Sequence, residues 1–261
     1  MGAPVQTSNS AMTVWQQLRG DYELPEDEIH VWRATLDGSS VRAAPLRQIL
    51  STEERARADR FHFDRDRMRF TIGRGLLRLL LGHCLGRAAH RVTFEYSSFG
   101  KPSLPAGQSV QFNVSHSGAL ILVAIARGRV LGVDVEQIRA DMATAQIAQE
   151  FFSAIECRAL ATLPDSLQCD AFFSCWTRKE AYIKAIGEGL SMPLDQFDVA
   201  FLPGEEPRLL ETRPEPAEAS RWTLRSLEPG AGYKGAIVAE GAGWTLRCWD
   251  WCGELAFGST R

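Results

Sequence analysis

Gly132-Val133-Asp134-Val135-Glu136 sets two carboxylates two residues apart in a short apolar run. On a strand, alternate side chains share a face, so Asp134 and Glu136 point together while Val133 and Val135 point away. Two such oxygens suit a hard divalent cation, Mg²⁺ above all. The plainer reading is a solvated edge strand that happens to carry two acids. Further on, Trp176-Thr177-Arg178-Lys179-Glu180-Ala181-Tyr182-Ile183-Lys184-Ala185 places Glu180 and Lys184 four apart, on one helix face. Alone, that spacing describes a surface ion pair worth about 0.3–0.5 kcal/mol. Beside Asp134 and Glu136, it offers the third oxygen that a metal site needs.

Phe112-Asn113-Val114-Ser115-His116-Ser117-Gly118 ends an apolar strand in small polar groups. Ser115 and Gly118 suit the close approach of a phosphate, and His116 adds a donor or a positive charge. A Ser–His nucleophile pair is disfavoured. Adjacent strand residues face opposite sides, and no Gly-x-Ser-x-Gly elbow occurs. Ser117 reads as an ordinary turn residue. In Tyr96-Ser97-Ser98-Phe99-Gly100-Lys101-Pro102, Gly100 permits a positive φ and Pro102 stiffens the chain, which holds Lys101 on a rigid loop. Lysine is scarce, at positions 101, 179, 184 and 234 among 29 basic residues, and three of the four fall inside these motifs. Arginines at 55, 57, 60, 65, 67, 69, 74 and 78 outnumber Asp59, Asp64 and Asp66 in the same stretch. Most read as a solvated helix face; a few, Arg69 among them, read as clamps for a polyanion.

These groups need regular elements to hold them. Residues 28–36 alternate as a strand, and Ser51 with Glu54 reads as a capped helix start. Met68, Ile72, Leu76, Leu79 and Leu80 recur at helical spacing within 65–85. Strands are expected at 92–97, 110–114, 119–127 and 130–136. Helices follow at 143–162 and 168–187, then strands at 197–202, 221–227, 233–239 and 243–250. Residues 203–219 read as an exposed loop. A long helix followed by about three strands, twice over, indicates an α+β chain of two similar halves with a ligand cleft between them. The expected division is a flexible leader at 1–25, an N-terminal half at 26–128 and a C-terminal half at 129–261. The 261 residues are 45% apolar and 23% charged, as in a soluble folded protein. A net charge of −3 argues against a broadly basic nucleic-acid binder. The longest apolar run, 119–126, is too short to span a bilayer, and residues 1–20 hold no signal-peptide core. Six cysteines without CxxC or zinc spacing point to a reducing compartment, the cytoplasm.

The order Phe-Gly-Lys-Pro, Phe-Asn-Val-Ser-His-Ser-Gly, Gly-Val-Asp-Val-Glu, Trp-Thr-Arg-Lys-Glu-Ala-x-x-Lys-Ala resembles the 4′-phosphopantetheinyl transferase superfamily. Length and apparent doubling resemble its Sfp-type branch, a monomer of two α+β halves related by a pseudo-twofold with the active site in the cleft between them. The resemblance covers 28–250 in layout and is specific at 99–102, 112–118, 131–136 and 176–190. Phe151-Phe152-Ser153 with Glu156, and Gly187-Glu188-Gly189-Leu190, are similar to family features too. The resemblance implies transfer of the 4′-phosphopantetheine arm of coenzyme A to a serine of an apo acyl or peptidyl carrier protein, releasing adenosine 3′,5′-bisphosphate. It implies Mg²⁺, with Mn²⁺ as substitute, on Asp134, Glu136 and Glu180. It places Ser115 and His116 on coenzyme A phosphates, His116 at the 3′-phosphate, and Lys101 near the adenine and ribose. Lys184 falls on the pyrophosphate near the leaving group, and Arg57 and Arg69 supply further phosphate contacts. Glu180 and Lys184 are then the catalytic pair, with Glu180 and a metal-bound water both open as acceptors of the serine proton. Glu54 stands where a relative carries a basic residue. Coenzyme A and the carrier are the implied partners, without nucleic acid or membrane. Two competing readings are a non-catalytic coenzyme A or carrier-binding module of the same fold, and a Mg²⁺-dependent nucleotide hydrolase. The three acids with Lys184 argue against the first, and the second has no use for Phe-Asn-Val-Ser-His.

Overall fold

The structure, a computed structural model, describes residues 13–37, 43–98, 100–187 and 192–253. Its first half runs from β1 (Trp15–Gln16) and β2 (Glu28–Thr35) through helices α1 (Ala43–Ile49), α2 (Thr52–Asp59) and α3 (Asp64–Cys84). A small pair, β3 (Glu95–Tyr96) and β4 (Pro102–Ser103), leads into the hairpin β5 (Val110–Ser117) and β6 (Leu120–Arg127). The second half repeats the plan with β7 (Leu131–Gln137), α4 (Ala145–Phe151), α5 (Ala154–Ala161) and α6 (Asp165–Ile186). The pair β8 (Phe197–Val199) and β9 (Leu209–Thr212) then leads into the hairpin β10 (Trp222–Leu227) and β11 (Tyr233–Glu240). In each half the hairpin's second strand pairs antiparallel with the strand before the helices, giving β5-β6-β2 and β10-β11-β7.

The doubling reaches individual side chains. Ser51 caps α2 and Ser153 caps α5, and Glu54 and Glu156 close the two capping boxes. Both glutamates are buried, and each meets a cation on the long helix of its own half. Glu54 pairs with Arg78 at 2.6 Å and Arg74 at 3.2 Å; Glu156 pairs with Lys179 at 2.7 Å. Arg78 also donates to the carbonyl of Val92 (2.8 Å), and Lys179 to those of Leu194 (2.8 Å) and Phe197 (2.5 Å). Each cation thereby ties its helix to the chain that follows it, and removing one partner would leave a buried charge alone at a cost of about 3–5 kcal/mol. Arg74 and Arg78 are thus buried rather than on a solvated face. Glu54 binds these arginines instead of facing a ligand.

Five expectations need correction. The leader fails over 13–25: β1 pairs with the last strand, and Tyr22 and Leu24 are buried. Residues 1–12 lie outside the described residues. The helix expected over 143–162 breaks at Phe152, because Ser153 starts a new one. Strand structure in 92–97 shrinks to Glu95–Tyr96, and 203–219 contains β9 and the start of a 3₁₀ turn. The final strand β12 (Thr245–Asp250) also departs from a self-contained half at 129–261. It crosses back and lies parallel between β1 and β2 in the first sheet.

Alternation sorts the core into layers. Val31, Leu122 and Ala124 of the first sheet meet Val133, Val135 and Ile237 of the second. The outer face of the first sheet packs Trp32, Ile121 and Val123 against Ile72 and Leu76 of α3. The outer face of the second packs Ala236 and Val238 with Ala181 and Ala185 of α6. Gly132 lies on this outer face, where a Cβ would overlap the main chain of α6 at Ala181 and Ala185. Gly132→Ala should therefore push α6 off β7 and destabilise by about 2–3 kcal/mol, lowering Tm by roughly 5–10 °C. Calorimetric unfolding checks this; an unchanged Tm would mean that the close approach is not required.

Candidate active site

β7 is bonded on both edges. β11 pairs along one edge. Along the other, side chains of β5 stand in for a neighbouring backbone. Asn113 Oδ1 accepts the Val133 N–H at 2.9 Å, Ser115 Oγ accepts that of Val135 at 3.3 Å, and Ser117 Oγ accepts that of Gln137 at 3.1 Å. The constant offset along the two chains means that β5 and β7 run parallel, held apart by one layer of polar side chains.

The same hydroxyls touch the acids. Ser115 Oγ donates to Asp134 Oδ1 (2.8 Å) and Ser117 Oγ to Glu136 Oε2 (2.7 Å). Asp134 and Glu136 share the α6 side of β7, as alternation requires, but this is no solvated edge: Asp134 is 1% exposed. Lys184 does not pair with Glu180. Its ammonium donates to Asp134 Oδ1 (2.6 Å) and to Ser115 Oγ (2.8 Å). Burial, and then the Asp134 charge, push the Glu180 carboxyl up to about 7; Lys184 opposes this. The same two causes raise Glu136. Among the described residues no three His, Cys, Asp or Glu side chains stand at metal-binding spacing. Yet Asp134 Oδ2 is buried without a partner. Three carboxylates, two of them penalised in their charged form and the third with an unpartnered buried oxygen, make a donor set that fits a hard divalent cation.

β5 places its two neighbouring motif residues back to back. Ser115 faces the acids, and His116 faces a cleft of about 680 Å³ lined also by Arg57, Phe70, Arg74 and Tyr96. The cleft walls desolvate the imidazole and, with the Lys184 and Arg69 charges, hold its pKa below the usual value. The Arg57 guanidinium lies over the Phe70 ring. Arg69 donates through Nε and Nη2 to the two carboxylate oxygens of Asp37. Arg74 donates to the Tyr96 hydroxyl at 2.6 Å. A second hollow of about 280 Å³, which shares Gly100, Pro102 and Val114 with the cleft, is lined by Lys101, Asn113, Glu180 and Lys184. Lys101 donates to the Lys184 carbonyl near the end of α6, and burial lowers its pKa. A cavity of about 700 Å³ beside β10 and β12 holds none of these residues. Phe99 and 188–190, parts of two motifs, lie outside the described residues. The sequence reading missed Asn113, Ser117 and the buried role of Arg74. Period-two spacing of Asn113, Ser115 and Ser117 was the available signal for the first two.

Two alike halves, with an acid cluster where they meet and a cation-lined cleft in the first half beside it, suit group transfer from a phosphate-bearing ligand. Known proteins agree. The description "4′-phosphopantetheinyl transferase superfamily" matches residues 130–238, and "4′-phosphopantetheinyl transferase, N-terminal" matches 37–127. The 4′-phosphopantetheinyl transferase HetI of Nostoc sp. is 38% identical over 240 residues, covering 91% of this chain and 98% of that protein. The 4′-phosphopantetheinyl transferase Sfp of Bacillus subtilis is 30% identical over 190 residues, 73% of this chain and 82% of that one. The chain belongs to the 4′-phosphopantetheinyl transferase superfamily and is an enzyme of that kind.

The acids' mutual repulsion is directly measurable. In metal-free buffer Glu180 should titrate near 7, and Asp134→Asn should move it down toward the ordinary glutamate range. Carboxyl-carbon NMR reads both midpoints; a Glu180 midpoint unmoved by Asp134→Asn would assign the shift to burial alone.

Proposed function

We propose that the chain moves the 4′-phosphopantetheine arm of coenzyme A onto a serine of an apo acyl or peptidyl carrier protein and releases adenosine 3′,5′-bisphosphate. The observation that carries this reading is the back-to-back placement on β5. His116 opens on a cleft sized for a nucleotide, and Ser115 on the other face touches Asp134 and Lys184. One ligand lying across the end of this strand would meet cations at its nucleotide phosphates and the acid cluster at its pyrophosphate.

Asp134, Glu136 and Glu180 would hold Mg²⁺, or Mn²⁺ in its place, which when bound supplies Lewis-acid neutralisation of the pyrophosphate oxygens. The chain's own groups do the rest. His116, with Arg57, binds the 3′-phosphate end, and a phosphate dianion there would raise the depressed His116 pKa and charge the ring. Arg69 already answers to Asp37, so it contributes charge to the cleft more than free donors. Lys101 closes the side of the site toward α6. Ser115 acts through Asp134 and Lys184 rather than as an open phosphate ligand. The carrier serine oxygen attacks the β-phosphorus as its proton passes to Glu180 or to a water beside it, the bridging P–O bond breaks, and the departing phosphate takes the electron pair. Lys184, 28% exposed in its side chain, is the cation beside the acids and donates to that departing oxygen. The proposal extends to a cytoplasmic monomer that needs neither nucleic acid nor membrane. No helix among the described residues is long and apolar enough to cross a bilayer.

Incubation of the chain with coenzyme A, Mg²⁺ and an apo carrier, followed by mass spectrometry of the carrier, tests the reaction. A phosphopantetheine mass gain on the carrier is expected. Adenosine bisphosphate without carrier modification would instead indicate hydrolysis, and neither product would indicate binding alone. In the same assay Lys184→Ala should lower kcat by about 10²–10³-fold, roughly 2–4 kcal/mol, with a smaller rise in KM for coenzyme A. An unchanged kcat would remove Lys184 from the leaving-group role.

A further inference from the structure

Ser117 closes β5, and its hydroxyl serves two elements at once. It accepts the Gln137 N–H at 3.1 Å and directs its single proton to Glu136 Oε2 at 2.7 Å. The turn that follows is locked against the second half. Gly118 takes φ +55°, and a side chain there would run into Gln137 and the Tyr233 hydroxyl. That hydroxyl accepts the Ala119 N–H at 3.1 Å. Ser117 therefore sits on a fixed backbone with a fixed orientation, and the contact with Glu136 is not a chance of a mobile loop.

The two acids of β7 differ in how they are held. Asp134 is short, buried and gripped by both Ser115 and Lys184. Glu136 is longer, only partly buried, and repelled by the Asp134 charge. No lysine or arginine ion pair holds it among the described residues. We propose that Ser117 is a positioning residue for Glu136. Its proton fixes Oε2 against the repulsion and leaves Oε1 available to a divalent cation. This rests on the reading of Asp134, Glu136 and Glu180 as the cation site. Asn113 supplies the internal comparison, because it makes the same kind of bond to β7, through Val133, with no acid attached.

The full chain, stripped of metal with a chelator, should be titrated with Mg²⁺ by calorimetry in the presence of coenzyme A, alongside KM for Mg²⁺ and kcat. Ser117→Ala should weaken Mg²⁺ binding about tenfold and raise KM for Mg²⁺, with kcat at saturating Mg²⁺ changed much less. Ser117→Thr keeps the hydroxyl and should recover most of the affinity. Asn113→Ala should lower Tm but cost clearly less Mg²⁺ affinity than Ser117→Ala. Ser117→Ala with unchanged Mg²⁺ affinity would overturn the assignment. So would an equal loss in Asn113→Ala, which would leave Ser117 as a stitch only. If the unaltered chain binds no Mg²⁺, or Glu136→Ala binds it normally, the cation-site reading fails and takes the role of Ser117 with it.

Discussion

The structure depends on how β7 is held between two unlike neighbours. A strand buried along both edges must satisfy every N–H and C=O. β11 meets one edge with backbone. β5 meets the other with Asn113, Ser115 and Ser117, whose side-chain oxygens take the N–H groups of Val133, Val135 and Gln137. A direct β5–β7 ladder would have closed the two sheets into one continuous surface. The polar layer leaves a seam instead, and the seam is where Asp134, Glu136, Glu180 and Lys184 gather.

That seam also explains why a doubled fold has one such site. The pseudo-twofold counterpart of the β5–β7 seam would bring β10 beside β2. There β12 and β1 extend the first sheet past β2, so that β2 is paired with backbone on both edges. The two halves share their capping boxes and buried cations, Arg78 in one and Lys179 in the other. They differ where β12 intrudes. The repeated plan supplies the frame, and one crossing strand makes the two junctions unequal.

Much of this was legible in the residues. Period-two alternation put Asp134 and Glu136 on one face and the valines on the other. Helical spacing found α3 and α6, and Ser51 with Glu54 announced a capping box. What escaped was information carried by distant partners. Nothing local to Arg74 and Arg78 says that Glu54 is buried beneath them. The i,i+4 rule pairs Glu180 with Lys184, but the Asp134 carboxylate on β7, distant in sequence, takes the ammonium instead. Residues 243–250 read correctly as a strand, but a strand's sequence does not name its sheet. Ser117 reads as a turn residue, yet it shares the period-two spacing of Asn113 and Ser115 and its side chain meets β7 as theirs do.

Amide hydrogen exchange at Val133, Val135 and Gln137 tests most directly whether side chains of β5 replace a backbone ladder along β7. If they do, these three amides exchange slowly, within about tenfold of the alternate amides of β7 that face β11. Exchange of the three at rates typical of an open sheet edge, with the β11-facing amides still protected, would contradict the seam and the site built on it.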